Sequence, residues 1–163
     1  MRWQLPTTLL LSALSATPAL AGQKVVGVWS SSTFSTSGKT GTHDFSAGFA
    51  LVNQDGESIY SEEYPDGYTP CTHVGQEFQL EKGCFGGAWY SFRCQATQTG
   101  IPQQCEVRGP EGNTVGTGKG EDQTDFFGVG IAKSGACRVK FELVDGIACG
   151  ADAAGFSAHH SEF

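Results

Sequence analysis

The stretch CRVKFEL, from Cys137 to Leu143, alternates apolar and charged side chains at every position. Successive side chains of a β-strand point to opposite faces, so Cys, Val, Phe and Leu would face a core while Arg, Lys and Glu face water. An α-helix would need apolar residues three and four positions apart, and no window after residue 21 sustains that spacing. The stretch therefore predicts a half-buried strand in an all-β domain.

The same two-residue period recurs along the chain. The inward positions that it predicts are Phe45, Ala47, Phe49 and Leu51; Tyr90, Phe92, Cys94 and Ala96; and the shorter sets Val26 and Val28, Phe78 and Leu80, Cys105 and Val107, and Phe127, Val129 and Ile131. Turn residues separate these runs, as tight reversals require. The pattern is typical of a single antiparallel β-sandwich or barrel, here with about eight to ten short strands. Residues 30–41 and 116–125 are polar and are predicted as long loops.

The first 21 residues have the layout of a secretion signal. Arg2 precedes a short apolar stretch, and Ala19-Leu20-Ala21 fits the small-residue pattern at which signal peptidase cleaves. The apolar stretch is well below the ~20 residues of a membrane span. We therefore predict a signal peptide over 1–21, a secreted β-domain over 22–150, and a flexible C-terminal tail over 151–163. The predicted location is extracellular.

The charge of the predicted mature chain is strongly negative. Residues 22–163 hold 9 Lys and Arg against 17 Asp and Glu, a net charge of −8. Nucleic acids and anionic membranes bind through a positive field, so neither is expected as a partner.

Six cysteines follow the predicted signal: Cys71, Cys84, Cys94, Cys105, Cys137 and Cys149. An even number in an oxidising compartment predicts three disulfide bonds. The spacing lacks the C-x-x-C pairs of a zinc site, so no metal is predicted. The connectivity stays open, with Cys94–Cys105 across the turn at 98–102 favoured first. Cys137–Cys149 and Cys71–Cys84 are the other favoured pairs.

The stretch EEYPDGYTPCTH, residues 62–73, is the chemically densest part of the chain. It combines carboxylates, tyrosines, a cysteine and a histidine, which suits either a reactive site or a cross-linked turn. Pro followed by Asp and Gly is a turn signal, so the turn is the favoured interpretation. Tyr64, Asp66 and Tyr68 are then candidates for contact with a partner.

Hydrolysis is an alternative. No Gly-x-Ser-x-Gly turn is present and the cysteine count is even, so no nucleophile is assigned. Carboxylates and histidines need no local motif to act as acid and base. The candidates for such a set are Glu57, Glu77, Glu106, His43, His73 and Arg93. Neither His159-His160 nor the acidic segment with Asp122 and Asp125 has the pattern of a metal site, and no cofactor is expected.

Exposed aromatic rings are a second kind of candidate site. Trp29, Trp89 and Phe126 fall on the face opposite the predicted core of their strands. Rings in such positions either stack on sugars and anchor partners, or lie under a second layer of the sandwich. Trp29 and Trp89 are therefore candidate binding residues.

Three resemblances extend this interpretation. Tyr64-Pro65-Asp66-Gly67-Tyr68 is similar to the Tyr-Pro-His-x-Tyr segment of small secreted fungal ribonucleases, with Asp66 in place of their histidine. Ala88–Cys94, AWYSFRC, resembles the Trp-Tyr-Ser-Cys strand of the Alternaria-type β-barrel allergen family. The whole architecture resembles the small secreted cysteine-rich proteins of filamentous fungi.

The last of these resemblances implies a function. It suggests an effector or virulence protein, a monomer that binds a host or microbial protein or a cell-wall polysaccharide. A small secreted ribonuclease-like hydrolase and a cell-wall carbohydrate-binding protein remain the alternatives.

Overall fold

The computed structural model describes residues 22–36, 43–67, 71, 76–128, 130–143, 149–150 and 155–162. The predicted signal peptide, Tyr68, His73 and Val129 lie outside the described residues.

Nine antiparallel strands form a single sheet. They are β1 (Lys24–Thr36), β2 (His43–Val52), β3 (Ser58–Glu62), β4 (Gln76–Glu81), β5 (Trp89–Ala96), β6 (Pro102–Arg108), β7 (Thr114–Phe127), β8 (Gly130–Glu142) and β9 (Ser157–Glu162). Their order across the sheet is β3-β2-β1-β8-β7-β6-β5-β4-β9. Two short 3₁₀ turns, Pro65–Gly67 and Gly83–Phe85, are the helical elements of the described residues. The all-β prediction is confirmed.

The sheet curls into a half-barrel around one core. The rings of Phe49 on β2 and Phe78 on β4 lie 4.6 Å apart, and those of Phe49 and Phe92 on β5 lie 4.9 Å apart. These strands are far apart in the sheet order, so the two halves of the sheet must face each other. The predicted inward side of β8 is confirmed, because Cys137, Val139, Phe141 and Leu143 are all buried.

The prediction for β1 chose the wrong face. Val25 and Trp29, each 0% exposed, point into the core instead of Val26 and Val28. A shift of one residue exchanges the two faces of a strand, and the apolar residues on both sides of β1 hid the register. Gly27 occupies the inward position between them, where an added Cβ would lie 3.6 Å from the rings of Phe49 and Phe92.

Both predicted long loops were wrong where the structure describes them. β1 continues to Thr36, and β7 runs through the whole of residues 116–125. Their Ser and Gly residues have weak strand preference, but strands on either side provide ladder partners: Ser32 lies opposite Ser46 of β2 and Ser134 of β8. Pairing overrides the local preference.

Alternate glycines of β7 allow the curl. An added Cβ would lie 2.5 Å from Lys140 O at Gly116, 2.0 Å from Arg138 O at Gly118, and 1.8 Å from Pro102 O at Gly120. Strands two apart in a flat sheet are about 9.6 Å from each other. Across β7, however, the Cα atoms of Cys105 and Cys137 lie only 6.1 Å apart.

Six cysteines form three disulfides, as predicted, but every favoured pairing was wrong. The bonds are Cys71–Cys94, Cys84–Cys149 and Cys105–Cys137. Cys94 and Cys105 do lie directly opposite each other on β5 and β6. The curl brings a more distant partner to each of them, which a pairing based on nearness in the sequence cannot anticipate.

Within the predicted C-terminal tail over 151–163, Ser157–Glu162 form β9 on the edge of β4. Two contacts hold β9 near the other end of the sheet. His160 N donates a hydrogen bond of 2.8 Å to Asp66 Oδ2, and the ring of Phe156 lies 6.0 Å from that of Tyr60 on β3. β3 and the turn after it are therefore in contact with β9 and the residue before it across the open side of the curl.

Candidate functional site

Four strands continue past the closed body of the fold. The core ends where Ser31 Oγ donates a buried hydrogen bond of 2.7 Å to Gly100 O and where the side chain of Ile101 packs against Gly135. Beyond that level lie residues 32–36 of β1, 43–46 of β2, 121–127 of β7 and 130–134 of β8. We call these four segments the projecting end.

The inner face of the projecting end exposes large apolar side chains. Phe126 is 75% exposed, Ile131 40% and Phe45 38%. By register they share the face that carries Trp29 and Cys137 in the body, and Phe126 lies directly opposite Ile131. Among the described residues no second layer covers these three side chains. Exposed apolar groups of this size mark contact surfaces.

A polar corner adjoins this apolar surface. A hollow of about 350 Å³ lies where the loop before β6 meets the inner face of β7 and β8. It is lined by Thr97, Thr99, Ile101, Pro102, Gln103, Gly120, Asp122 and Lys133. Both Asp122 and Lys133 are exposed, so the hollow offers one charge of each sign next to a mostly uncharged wall.

The projecting part of β7 has an open edge. The ladder between β6 and β7 ends at Gln104 and Lys119, and β6 itself starts at Pro102, which has no N–H to extend it. Within the described chain, β7 from Glu121 to Phe127 pairs with β8 alone. Alternate N–H and C=O groups of these residues therefore point away from the sheet.

The open edge is acidic. It carries Glu121, whose side chain is 81% exposed, together with Asp122 and Asp125. Arg138 on β8 lies 3.2 Å from Glu121, and Gln123 donates a hydrogen bond of 3.1 Å to Asp125. Residues 121–127 themselves carry three carboxylates and no Lys or Arg, whereas the cations Lys119, Lys133 and Arg138 lie beside them, so the negative charge is concentrated on the open edge itself.

A larger hollow, about 700 Å³, lies along the same four strands. Small residues, among them Ser30, Ser32, Ser46 and Ser134, form much of its lining. Ser32 and Ser46 are hydrogen-bonded to each other at 2.6 Å. The hydroxyls of Ser32 and Ser46 thus already have partners on the protein.

The predicted acid–base residues assemble only in part. Glu77, Arg93 and Glu106 lie in one row across β4, β5 and β6, and Arg93 and Arg108 both form salt bridges with Glu106. Glu57 lies elsewhere and accepts a hydrogen bond of 3.0 Å from Asn53. The side chain of His43 and the whole of His73 are outside the described residues.

Glu77 is the most unusual member of this row. It is 6% exposed, and Ser91 Oγ donates a hydrogen bond of 3.1 Å to its Oε2. Burial raises the pKa of Glu77, while the hydrogen bond from Ser91 and the positive charges of Arg108 and Arg93 act in the opposite direction. The sequence placed Glu77 next to a strand but could not indicate its burial.

The segment with Tyr64 and Asp66 acts as a turn that holds β9. Asp66 has a φ of 53°, in the left-handed region, and its carboxylate is occupied by His160 N. Pro65 is buried, whereas Tyr64 is 39% exposed and remains accessible. The disulfide from Cys71 fixes the chain just beyond this turn.

The two predicted tryptophans do not form a binding platform. Trp29 is fully buried and its Nε1 has no hydrogen-bond partner among the described residues, so its assignment as an exposed binding residue was wrong. Trp89 lies half-buried on the outer face of β5, opposite Glu81. Among the described residues, the aromatic side chains that do lie open are Phe45, Tyr64 and Phe126, of which Phe45 was predicted to be part of the core.

Comparison of the chain with protein-family models, with curated proteins and with solved structures gave no match. Among the described residues, no group of three His, Cys, Asp or Glu side chains is arranged to hold a metal ion. Within the same residues, no helix has the length and hydrophobicity needed to cross a membrane.

Proposed function

We propose that this protein is a secreted, fungal effector-type protein that acts by binding a host or microbial molecule through its projecting end. The observation that carries the proposal is the exposed inner face with Phe45, Phe126 and Ile131, beside the polar corner at Asp122 and Lys133. Among the described residues, the inner face of the body is buried, whereas the inner face of the projecting end is exposed and available to another molecule.

The energetics favour recognition at this surface. Complete burial of a phenylalanine side chain is worth about 1.5–3 kcal/mol, and aromatic anchors commonly dominate binding interfaces. Phe126 and Ile131 lie on paired strands, so little conformational entropy is lost when a partner covers them. The three disulfides support a rigid scaffold, and together with the signal-like first 21 residues they support secretion.

The test is capture of a partner by the oxidised chain over residues 22–163. Host extract and insoluble cell-wall polysaccharide are each offered to the wild type, to a Phe126→Ala/Ile131→Ala variant and to Tyr64→Ala. Tyr64 is a matched control because it is also an exposed aromatic residue but lies in the body. We expect capture to be lost in the double variant and kept in Tyr64→Ala. The opposite result would locate the site at the turn with Tyr64.

A small secreted hydrolase is the second candidate. The observation in its favour is the row of Glu77, Arg93 and Glu106, because a buried carboxyl group beside guanidinium groups suits proton transfer next to an anionic substrate. Turnover of RNA and of glycans by the wild type, lost in Glu77→Gln with the fold intact, would support this candidate over the binding protein.

The carbohydrate-binding alternative loses its expected platform, because Trp29 is buried. Capture on insoluble polysaccharide with no capture from host extract would favour it.

A further inference from the structure

We infer that the open edge of β7, from Glu121 to Phe127, accepts an extended basic segment of the partner as an added β-strand. This inference rests on the proposed function, because it names the chemistry of the partner at the same projecting end. Strand addition supplies affinity through main-chain hydrogen bonds and specificity through alternate side chains.

The edge has the geometry that strand addition requires. Its pairing with β8 runs without a bulge from Gly120 opposite Cys137 to Phe127 opposite Gly130. Seven residues, 121–127, span about 24 Å in extended form, enough for a partner segment of similar length. The sequence of this edge contains no proline, which would remove an N–H from the ladder.

The charges of the edge select a basic segment. Glu121 and Asp125 lie on the outer face of β7, and Asp122 lies on the inner face, so an added strand meets carboxylates on both sides. The neighbouring cations are Lys119, which lies before the open edge and opposite Gln104 of β6, Lys133, and Arg138, which is already paired with Glu121. Opposite charges on adjacent strands stabilise the pair, whereas an acidic segment would be repelled.

The apolar surface sets a second requirement. Phe126 lies at the end of the same edge, on the inner face and opposite Ile131. A partner segment therefore needs an apolar side chain where it passes Phe126, and Lys or Arg where it passes residues 121–125. Burial of the apolar side chain fixes the register of the added strand.

A second copy of the chain fits the edge poorly. Two β7 edges placed side by side would bring the carboxylates of Glu121, Asp122 and Asp125 from both copies together. Charged side chains on an exposed edge are a common defence against such self-pairing. The same charges that oppose self-association favour a basic partner.

Synthetic peptides test the inference. One peptide of about nine residues alternates Lys with Val and ends in Phe. A second has the same sequence with every other amide N-methylated, and a third carries Glu in place of Lys. Binding to the oxidised chain is measured by calorimetry at physiological ionic strength, and amide exchange at 121–127 is followed by NMR. We expect the first peptide to bind and to protect these amides, the methylated peptide to bind at least tenfold more weakly, and the acidic peptide not to bind.

Variants of the protein complete the test. Asp122→Lys should weaken binding of the basic peptide about tenfold, whereas Glu111→Lys should change it less than threefold. Glu111 is a matched control because it is an exposed carboxylate in the turn before β7, at the opposite end of that strand. Equal binding of the methylated peptide would overturn strand addition. Absence of any peptide binding would overturn it as well.

Two further outcomes separate this inference from the proposed function. If the peptides fail but Phe126→Ala/Ile131→Ala still abolishes capture of the natural partner, the strand-addition inference fails and the proposed site stands. If neither the peptides nor the double variant has an effect, the proposed site fails too. A dimer in sedimentation that Asp122→Lys alters would instead identify a second copy as the occupant and overturn the inference.

Discussion

Phe45 and Phe49 lie on the same face of β2, yet Phe49 is 1% exposed and Phe45 is 38% exposed. On β8, Cys137 is 0% exposed, whereas Ile131, on the same face, is 40% exposed. The strands and their register are continuous between these positions. The difference lies in what packs against this face. In the body the opposite part of the sheet packs against it, whereas in the projecting end no described residue does. Alternation in a sequence shows which side of a strand is apolar, but not whether another layer lies against it.

The largest expected effect comes from replacing one phenylalanine in the body and one in the projecting end. Phe49→Ala removes a ring that contacts Phe78 and Phe92, and it should lower the free energy of unfolding by about 3–5 kcal/mol. Phe126→Ala should change the free energy of unfolding by less than about 0.5 kcal/mol, because the Phe126 side chain is mostly exposed in the folded protein. Urea denaturation measures both. A loss above 2 kcal/mol for Phe126→Ala would mean that the inner face of the projecting end is covered after all.

The disulfides sharpen the comparison, because all three lie in the body. Replacement of both Cys84 and Cys149 by Ser opens a loop with a sequence separation of 65, against 23 for Cys71 and Cys94. Loop entropy predicts a loss of about 4 kcal/mol for the first pair and about 0.9 kcal/mol less for the second.

Thermal or denaturant unfolding of both double-Ser variants under identical conditions checks this order. A larger loss on removal of Cys71–Cys94 would show that local packing, not loop length, sets the contribution of each bond.

Asp66 offers a test of how one edge of the sheet is closed. Asp66→Ala removes the hydrogen bond to His160 N and should cost about 1 kcal/mol, with faster amide exchange in β9. Asp66→Asn keeps an acceptor oxygen and tolerates the left-handed φ, so it should retain most of the protection. Unchanged exchange in both variants would show that pairing with β4 alone holds β9.

The smallest expected effect is a dependence of stability on pH. Burial raises the pKa of Glu77 above its usual 4.5, so the folded chain keeps this proton to higher pH than the unfolded chain does. The protonated group contributes stability below the ordinary pKa of 4.5. This contribution is lost as pH rises through the higher pKa of the folded state. The wild type should therefore lose stability relative to Glu77→Gln as pH rises above the usual pKa of 4.5. A flat difference for Glu77→Gln would contradict the role of burial at Glu77.

Much of the fold was predictable from the sequence because strong alternation survives in single strands. β8 shows it in CRVKFEL and β5 in its Tyr90, Phe92 and Cys94, and both strands were assigned the correct inward side. For β1 the alternation predicted the wrong inward face, because valines occupy both faces and a glycine takes one inward position. The first half of β7 was missed because its inward residues Gly116, Gly118 and Gly120 carry no apolar signal.

Much less of the candidate site could be predicted from the sequence. The surface depends on how far β1, β2, β7 and β8 extend beyond the core, and strand length was hidden by runs of Ser, Thr and Gly. Phe45 and Ile131 look like core residues in the sequence, and only the absence of a covering layer exposes them. Asp66 looked available for a partner until β9 was found against it.

The bond between Cys105 and Cys137 has a consequence for oxidative folding. It crosses β7 where an added Cβ on Gly118 would lie only 3.2 Å from Cys105 Sγ. If β7 slipped by one residue, Thr117 or Lys119 would replace Gly118 on that face and hold the two thiols apart. Closure of this bond therefore reports the alignment of β7 with its neighbours, and chains with a misaligned strand would keep two thiols that an alkylating reagent can count.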